Sequence, residues 1–157
     1  MLTGMTDAKK SRILVVDDDP SIIFLVSNLL EDKGYEVLTA ATGTIALDCA
    51  ITDNPDLILL DILLPDMEGM EVCAKLRKNP VTSKIPIIFL TAYNTEDRLE
   101  EAIDMGGDDF LGKPINIIEL TVRIQAMLLT RNISDEYVRH NEYIKTIKAL
   151  RAQSTKP

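Results

Sequence analysis

Four short runs of apolar residues punctuate the chain, and each ends in side chains that carry chemistry. Ile13-Leu14-Val15-Val16 ends in Asp17 and Asp18, Leu57-Ile58-Leu59-Leu60 in Asp61, and Ile87-Ile88-Phe89-Leu90 in Thr91. A shorter run, Phe110-Leu111, leads to Lys113-Pro114. Uninterrupted apolar runs of this length are expected of strands covered on both faces, as in the centre of a parallel sheet. The pattern predicts strands near 12–17, 35–39, 56–61, 85–90 and 108–111.

Between the strands the period changes. Ile22, Ile23, Val26, Leu29 and Leu30 share one face of a helix predicted over 20–33. Further helices are predicted near 43–53, 67–78, 95–105 and from 116 onward. Punctuation agrees: Asp19-Pro20 supplies an N-cap with proline at the first helical position, and Asn116 with Glu119 reads as a capping box. Gly34 follows the first helix and Gly106-Gly107 the fourth. Five successive βα units imply right-handed crossovers and an α/β fold with helices on both faces of a parallel sheet. The doubly wound order 2-1-3-4-5 brings strands one, three and four together. It places Asp17, Asp18, Asp61 and Thr91 at one cleft outside their carboxyl ends, where open sheets bind ligands.

After residue 130 the alternation stops. Ile133, Tyr137, His140, Ile144, Ile147 and Arg151 recur at steps of four and three, a short and imperfect heptad-like stripe. No Gly or Pro lies between Pro114 and Pro157, so nothing of that kind stops the fifth helix from running on past the domain. The reading is one domain over 11–130 and a helical extension or linker over 131–157.

Composition narrows the function classes. With 46% apolar residues the chain can build one core, and with no Trp that core is aliphatic. A formal charge of −8 argues against direct nucleic-acid binding or an anionic membrane surface, both of which need a basic face. No segment approaches the roughly 20 apolar residues of a membrane span, and no secretory signal precedes the first strand. Cys49 and Cys73, isolated on apolar helical faces, read as reduced core thiols. The expectation is a soluble, cytoplasmic protein.

The strand ends point to phosphoryl transfer onto a carboxylate. An aspartate that accepts a phosphoryl group must be ionised, yet its target is itself an anion. A divalent cation meets both needs, and Mg²⁺ favours one or two carboxylates plus water and phosphate oxygens. Asp17 and Asp18 beside Asp61 suit such an ion. Lys113 adds a positive charge for the transferred group, and Thr91 a hydrogen-bond donor.

The segments ILVVDDDP, LILLDILLPDMEG, IIFLTA and DDFLGKPI resemble the receiver domain of two-component response regulators over roughly residues 11 to 130. The separations also fit: 44 residues from Asp17 to Asp61, 30 to Thr91 and 22 to Lys113. The resemblance implies a flavodoxin-like, five-stranded doubly wound sheet, here with an extended C-terminal helix. It implies Asp61 as phospho-acceptor, and Mg²⁺ held by Asp18, Asp61 and the backbone carbonyl of Leu63, with Asp17 acting largely through water. Lys113 would contact the acyl phosphate and precede a cis proline. Thr91 and Phe110 would form a switch pair that reshapes the face of helix four, strand five and helix five. Leu63 and Tyr93 occupy the positions that tune dephosphorylation. Neither readily orients a water, so a long-lived phospho-form is expected. The implied partner is a sensor histidine kinase or phosphotransfer protein. A homodimer is expected through the C-terminal helix or the helix four–strand five–helix five face.

Competing readings fit less well. A degenerate receiver serving only as an interaction module would not need all five site residues. A haloacid-dehalogenase-type phosphatase would use Asp17-x-Asp19, but Pro20-Ser21 does not continue that signature and Asp61 would have no task. A flavodoxin would not set three aspartates against its phosphate. His140 lacks the sequence context of a histidine-kinase phospho-acceptor and reads as a seam or surface residue. The chain is therefore read as a signalling domain and not an enzyme. It is expected to lead, through its last helix, to an effector beyond Pro157, with a stand-alone regulator as the alternative.

Overall fold

The computed structural model describes residues 9–92 and 96–154. Among them the strands are β1 (Arg12–Val16), β2 (Glu36–Ala40), β3 (Leu57–Asp61), β4 (Ile87–Thr91) and β5 (Asp109–Gly112). The helices are α1 (Pro20–Asp32), α2 (Gly43–Asp53), α3 (Gly69–Lys78), α4 (Glu96–Asp104), α5 (Ile117–Thr130) and α6 (Glu136–Ser154). All strand pairings are parallel, in the order β2-β1-β3-β4-β5, as the alternation predicts.

The apolar runs divide by parity between two cores. Ile13, Val15, Leu57, Leu59, Ile88, Leu90 and Leu111 face one side, with α1 and α5 packed on them. Leu14, Val16, Ile58, Leu60, Ile87 and Phe89 face the other, beneath α2, α3 and α4. This explains why the central strands carry no polar alternation: both faces are covered. Cys73 is a buried free thiol, whereas Cys49 is only half-buried. No helix of the described residues is long and apolar enough to cross a membrane.

The predicted helix starts hold where a side chain caps them. Asp19 accepts from the Ser21 N–H at 2.9 Å, and Asn116 from the Glu119 N–H at 3.0 Å. The third helix begins at Gly69, not at 67. Residues 63–68 instead form a tight loop, with an antiparallel bridge between Leu63 and Glu68 and the Gly69 N–H donating to Ile62 O at 2.6 Å. A Cβ at Gly69 would fall on the Asp61 carbonyl oxygen, so only glycine permits this closure over the end of β3. From the same loop, Asp66 accepts the N–H groups of Gly43 and Thr44 at 2.7 and 2.9 Å and so joins the start of α2.

The C-terminal helix is present, but it does not continue α5. The chain turns over residues 131–135, where no Gly or Pro is required. Arg131 is anchored to Asp56 at 2.7 Å, and Asp135 caps the next helix by accepting the Val138 N–H at 3.0 Å. Asn, Ser and Asp side chains compete with helical backbone bonds, which is the signal the absence of Gly and Pro concealed. α6 then folds back along α5, burying Tyr143 and Ile147 against the α1–α5 core. The heptad-like stripe is therefore split: Ile147 points inward, whereas Tyr137 and Ile144 are exposed.

Two measurements test this framework. The Asp66 carboxyl is held down to about 2, first by the Thr44 hydroxyl and then by the Thr44 and Gly43 N–H groups. Its folded value lies below the unfolded one, so its contribution to stability is present above about pH 4 and lost as pH falls toward 2. Urea titrations across that window should therefore show a steeper acid loss in the wild type than in Asp66→Asn; equal slopes would refute the linkage. Gly69→Ala should lower stability by about 1–3 kcal/mol, read as a reduced urea midpoint, because the added methyl displaces backbone and not a flexible side chain.

Candidate functional site

The carboxyl ends of β1, β3, β4 and β5 converge as the topology requires. Asp17 follows β1 and is almost wholly buried, at 1% exposure; Asp61 ends β3 at 6% and Thr91 ends β4 at 1%. Asp18 is exposed beside them. Ligand oxygens of Asp17, Asp18 and Asp61 all lie within 4.8 Å of one another. Two unit charges ~5 Å apart at an effective dielectric of ~20 repel by ~3 kcal/mol, so this crowding requires an opposing charge.

Lys113 supplies part of it. Its Nζ donates to Asp17 Oδ2 at 2.8 Å and to Asp61 Oδ2 at 3.2 Å. The reach is set by β5: the Lys113 N–H donates to Thr91 O at 2.7 Å, extending the β4–β5 ladder past Gly112. The Lys113–Pro114 peptide is cis, as the resemblance implies. Asp61 Oδ1 accepts the Leu63 N–H at 3.3 Å, and Asp17 Oδ1 accepts the Asp19 N–H at 2.9 Å.

The electrostatics follow from this packing. Burial, and then the charge of Asp17, push the Asp61 carboxyl above the ordinary carboxylate value, against the opposing pull of Lys113. Burial alone would lower Lys113, but the hydrogen bond and charges from Asp17 and Asp61 outweigh it and hold the ammonium above its usual value. Three carboxylates and one ammonium leave a formal excess of two negative charges, the complement of one divalent cation. The donors are all oxygen, at strand ends held by the sheet, which is the chemistry Mg²⁺ prefers. Asp17, Asp18 and Asp61 are the side chains that could hold such an ion.

The remaining predicted residues fall as follows. Leu63 lies at the rim, 42% exposed, with its N–H turned to Asp61. Phe110 is half-buried on β5, its ring stacked on Phe89 at a centroid distance of 6.4 Å. Tyr93 lies outside the described residues. An open groove of about 550 Å³ adjoins Asp17 and Asp18, lined by Ile23 and Phe24 of α1 and by Thr39 and Ala40 of β2.

Sequence reasoning missed two features. Asp66 was quoted only as part of a motif, yet it joins the loop after Asp61 to α2. Asp109 likewise entered only within a motif, yet its carboxylate gathers Arg123 at 2.6 Å, the Phe110 N–H at 2.7 Å and the Tyr143 hydroxyl. Only the acidic residue itself was visible; its partners lie 14 and 34 positions away.

Comparison with known proteins points to one family. The family model for the response regulator receiver domain matches residues 13–125. The chain is 38% identical over 133 residues to the DNA-binding dual master transcriptional regulator RpaA of Synechocystis, covering 85% of this chain and 55% of that protein. It is 42% identical over 123 residues to the alkaline phosphatase synthesis transcriptional regulatory protein PhoP of Bacillus subtilis, covering 78% and 50%. The chain thus spans about half the length of these curated relatives. Among solved structures, a CheY-like receiver domain protein from Methanospirillum hungatei superposes with a TM-score of 0.76 at 33% identity, over 81% of this chain and all of that one. The receiver domain of a Pseudomonas aeruginosa sensor histidine kinase, solved with magnesium coordinated in its active-site cleft, gives 0.72 at 30% identity, over 76% and 98%. With the sheet order, the acidic cluster and the family match in agreement, the chain belongs to the response regulator receiver domain family of two-component signal transduction.

Proposed function

We propose that this chain is a phospho-accepting switch in which Asp61 takes a phosphoryl group from a histidine kinase or phosphotransfer protein. The observation that carries the reading is the shared Lys113 ammonium, bonded at once to Asp17 and Asp61. That arrangement stabilises an ionised acceptor and leaves a cation beside the position of an incoming anion.

A bound Mg²⁺ would neutralise the carboxylate excess and draw charge from the phosphoryl oxygens. Asp18 and Asp61, with the Leu63 carbonyl, would hold it, and Asp17 would act largely through water. The transfer itself is done by the chain's own groups. An Asp61 Oδ attacks phosphorus, the new O–P bond forms as the donor's P–N bond breaks, and the imidazole nitrogen leaves with the bonding pair. Asp61 thereby gives up its charge, and Lys113 can move its hydrogen bond from the carboxylate to a phosphoryl oxygen. Thr91, at the end of the neighbouring strand, would donate to another. Thr91 pairs in register with Gly112 and Phe89 with Phe110, so a shift of Thr91 is transmitted along the β4–β5 ladder to the α4–β5–α5 face. This is a population shift driven by contacts that exist only in the phospho-form.

The open groove beside Asp17 and Asp18, with Phe24 72% exposed on its α1 wall, gives a phosphodonor protein an apolar foothold next to the acceptor. Self-association would use α6 or the α4–β5–α5 face. Several relatives are named as transcriptional regulators, but the acidic balance of this chain gives no basis for direct nucleic-acid contact.

Incubation with acetyl phosphate and Mg²⁺ should add one phosphoryl group, hydroxylamine-labile and absent from Asp61→Asn; no adduct on the wild type would refute the reading. Lys113→Ala should slow loading by about ten- to a hundred-fold, the loss of a charged hydrogen bond worth roughly 1.5–3 kcal/mol. Leu63 and Tyr93 should give slow hydrolysis of the phospho-form. Leu63→Asn, which offers water a polar neighbour, should shorten its lifetime several-fold in a phosphate-release assay.

A further inference from the structure

We infer that α6 is an intramolecular strap on the β5–α5 surface, fastened to the strand at Asp109, and that phosphoryl loading of Asp61 loosens it. The inference rests on the switch reading given above and supplies its mechanical consequence.

The fastening is a single carboxylate with three donors. Asp109 Oδ1 accepts the Phe110 N–H at 2.7 Å, and Oδ2 accepts Arg123 of α5 at 2.6 Å together with the Tyr143 hydroxyl of α6. A second clasp joins the other end of the strap, where Arg151 and Arg123 both hold Glu119 at the start of α5. Arg151 thus meets the beginning of α5 while Tyr143 lies beside Arg123 one turn later, which makes the two helices antiparallel. The strap reads as Tyr143, Ile147 and Arg151 at steps of four: an aromatic hydroxyl, an aliphatic side chain and a guanidinium on one face.

Two observations make this contact releasable. Of the 19 residues of α6, the buried ones are Tyr143 and Ile147. Beyond them only Leu150 packs against the core, partly buried, while Tyr137, Val138 and Ile144 are exposed, so the sheet and its own helices stay covered on most of their area when it lifts. The link to α5 is the turn over 131–135, free of proline, which permits a change of helix direction without a break elsewhere.

The coupling runs along β5, which is only four residues long. Lys113, just past one end, touches Asp61; Asp109 forms the other end; Phe110 lies between. A movement of Lys113 toward a phosphoryl group, or of Phe110 behind Thr91, displaces the N–H that Asp109 holds and so disturbs the carboxylate that clasps Tyr143. When the strap lifts it exposes Asp109, Arg123 and Glu119.

Amide hydrogen exchange on the full chain, with and without beryllofluoride and Mg²⁺, tests this directly. ¹⁹F resonance of bound fluoride reports loading independently. Expected is at least tenfold faster exchange across 136–154 on loading, at protein concentrations where sedimentation shows no change of mass. Tyr143→Phe should exchange faster there before loading. By reciprocity of the coupling it should also bind beryllofluoride several-fold tighter. Arg151→Ala, at the exposed end of the strap, should do the same without touching the core. Bound fluoride with unchanged exchange in 136–154, or variants that open α6 without tightening fluoride binding, would overturn the strap while leaving the switch intact. Absence of bound fluoride would overturn the phospho-acceptor reading and the strap with it.

Discussion

Like charges crowded at the ends of buried strands set the terms for this protein. Asp17 and Asp61 are buried within a few ångströms of each other and of Asp18, an arrangement that opposes folding unless positive charge is brought in. The fold brings in one such charge, from Lys113, placed by a strand near the far end of the sequence. One ammonium does not balance three carboxylates. The remaining excess is what a divalent cation would offset in the proposed function. The weakened acidity of the Asp61 carboxyl and the strengthened basicity of Lys113 are two expressions of the same compromise between burial and pairing.

The surrounding structure holds that compromise in place. Parallel strands fully covered by helices fix where Asp61 and Thr91 end, since a slip of one residue would turn each core side chain to the opposite face. Gly69 lets the following loop close against the Asp61 carbonyl, and Asp66 joins that loop to α2. On the other flank, β5 joins the ammonium to a second polar centre at Asp109, so a change at the acceptor has a short path to the outer helices. Rigidity at the acceptor and a lightly held element at the periphery are complementary requirements of a switch.

The sheet and the acidic cluster at its strand ends were legible in the sequence for a physical reason. Central parallel strands are continuous apolar runs, and the residues that leave them, such as Asp61 after Leu60 or Thr91 after Leu90, must point into the cleft at their carboxyl ends. Helix starts were legible where Asp19 or Asn116 caps them locally. The start of α3 was misplaced because Leu63–Glu68 is held by a bridge and a glycine contact that no local propensity encodes. The path of α6 was hidden for a similar reason. A turn without Gly or Pro looks helical, and the residues that decide the packing, Asp109 with Tyr143 and Asp56 with Arg131, are far apart in sequence. The apparent heptad stripe mixed residues that meet the domain, such as Ile147 and Arg151, with outward ones such as Tyr137, since it followed spacing and not the surface the helix meets.

Calorimetric titration of the full chain with Mg²⁺, alongside Asp18→Asn and Asp61→Asn, bears most directly on the charge excess at the strand ends. Expected is one ion bound per chain by the wild type, with affinity at least tenfold weaker in each variant and falling as salt is raised. A wild type that takes up no ion, or variants that bind as tightly as it does, would contradict the claim that these carboxylates are held together for a cation and an incoming phosphate.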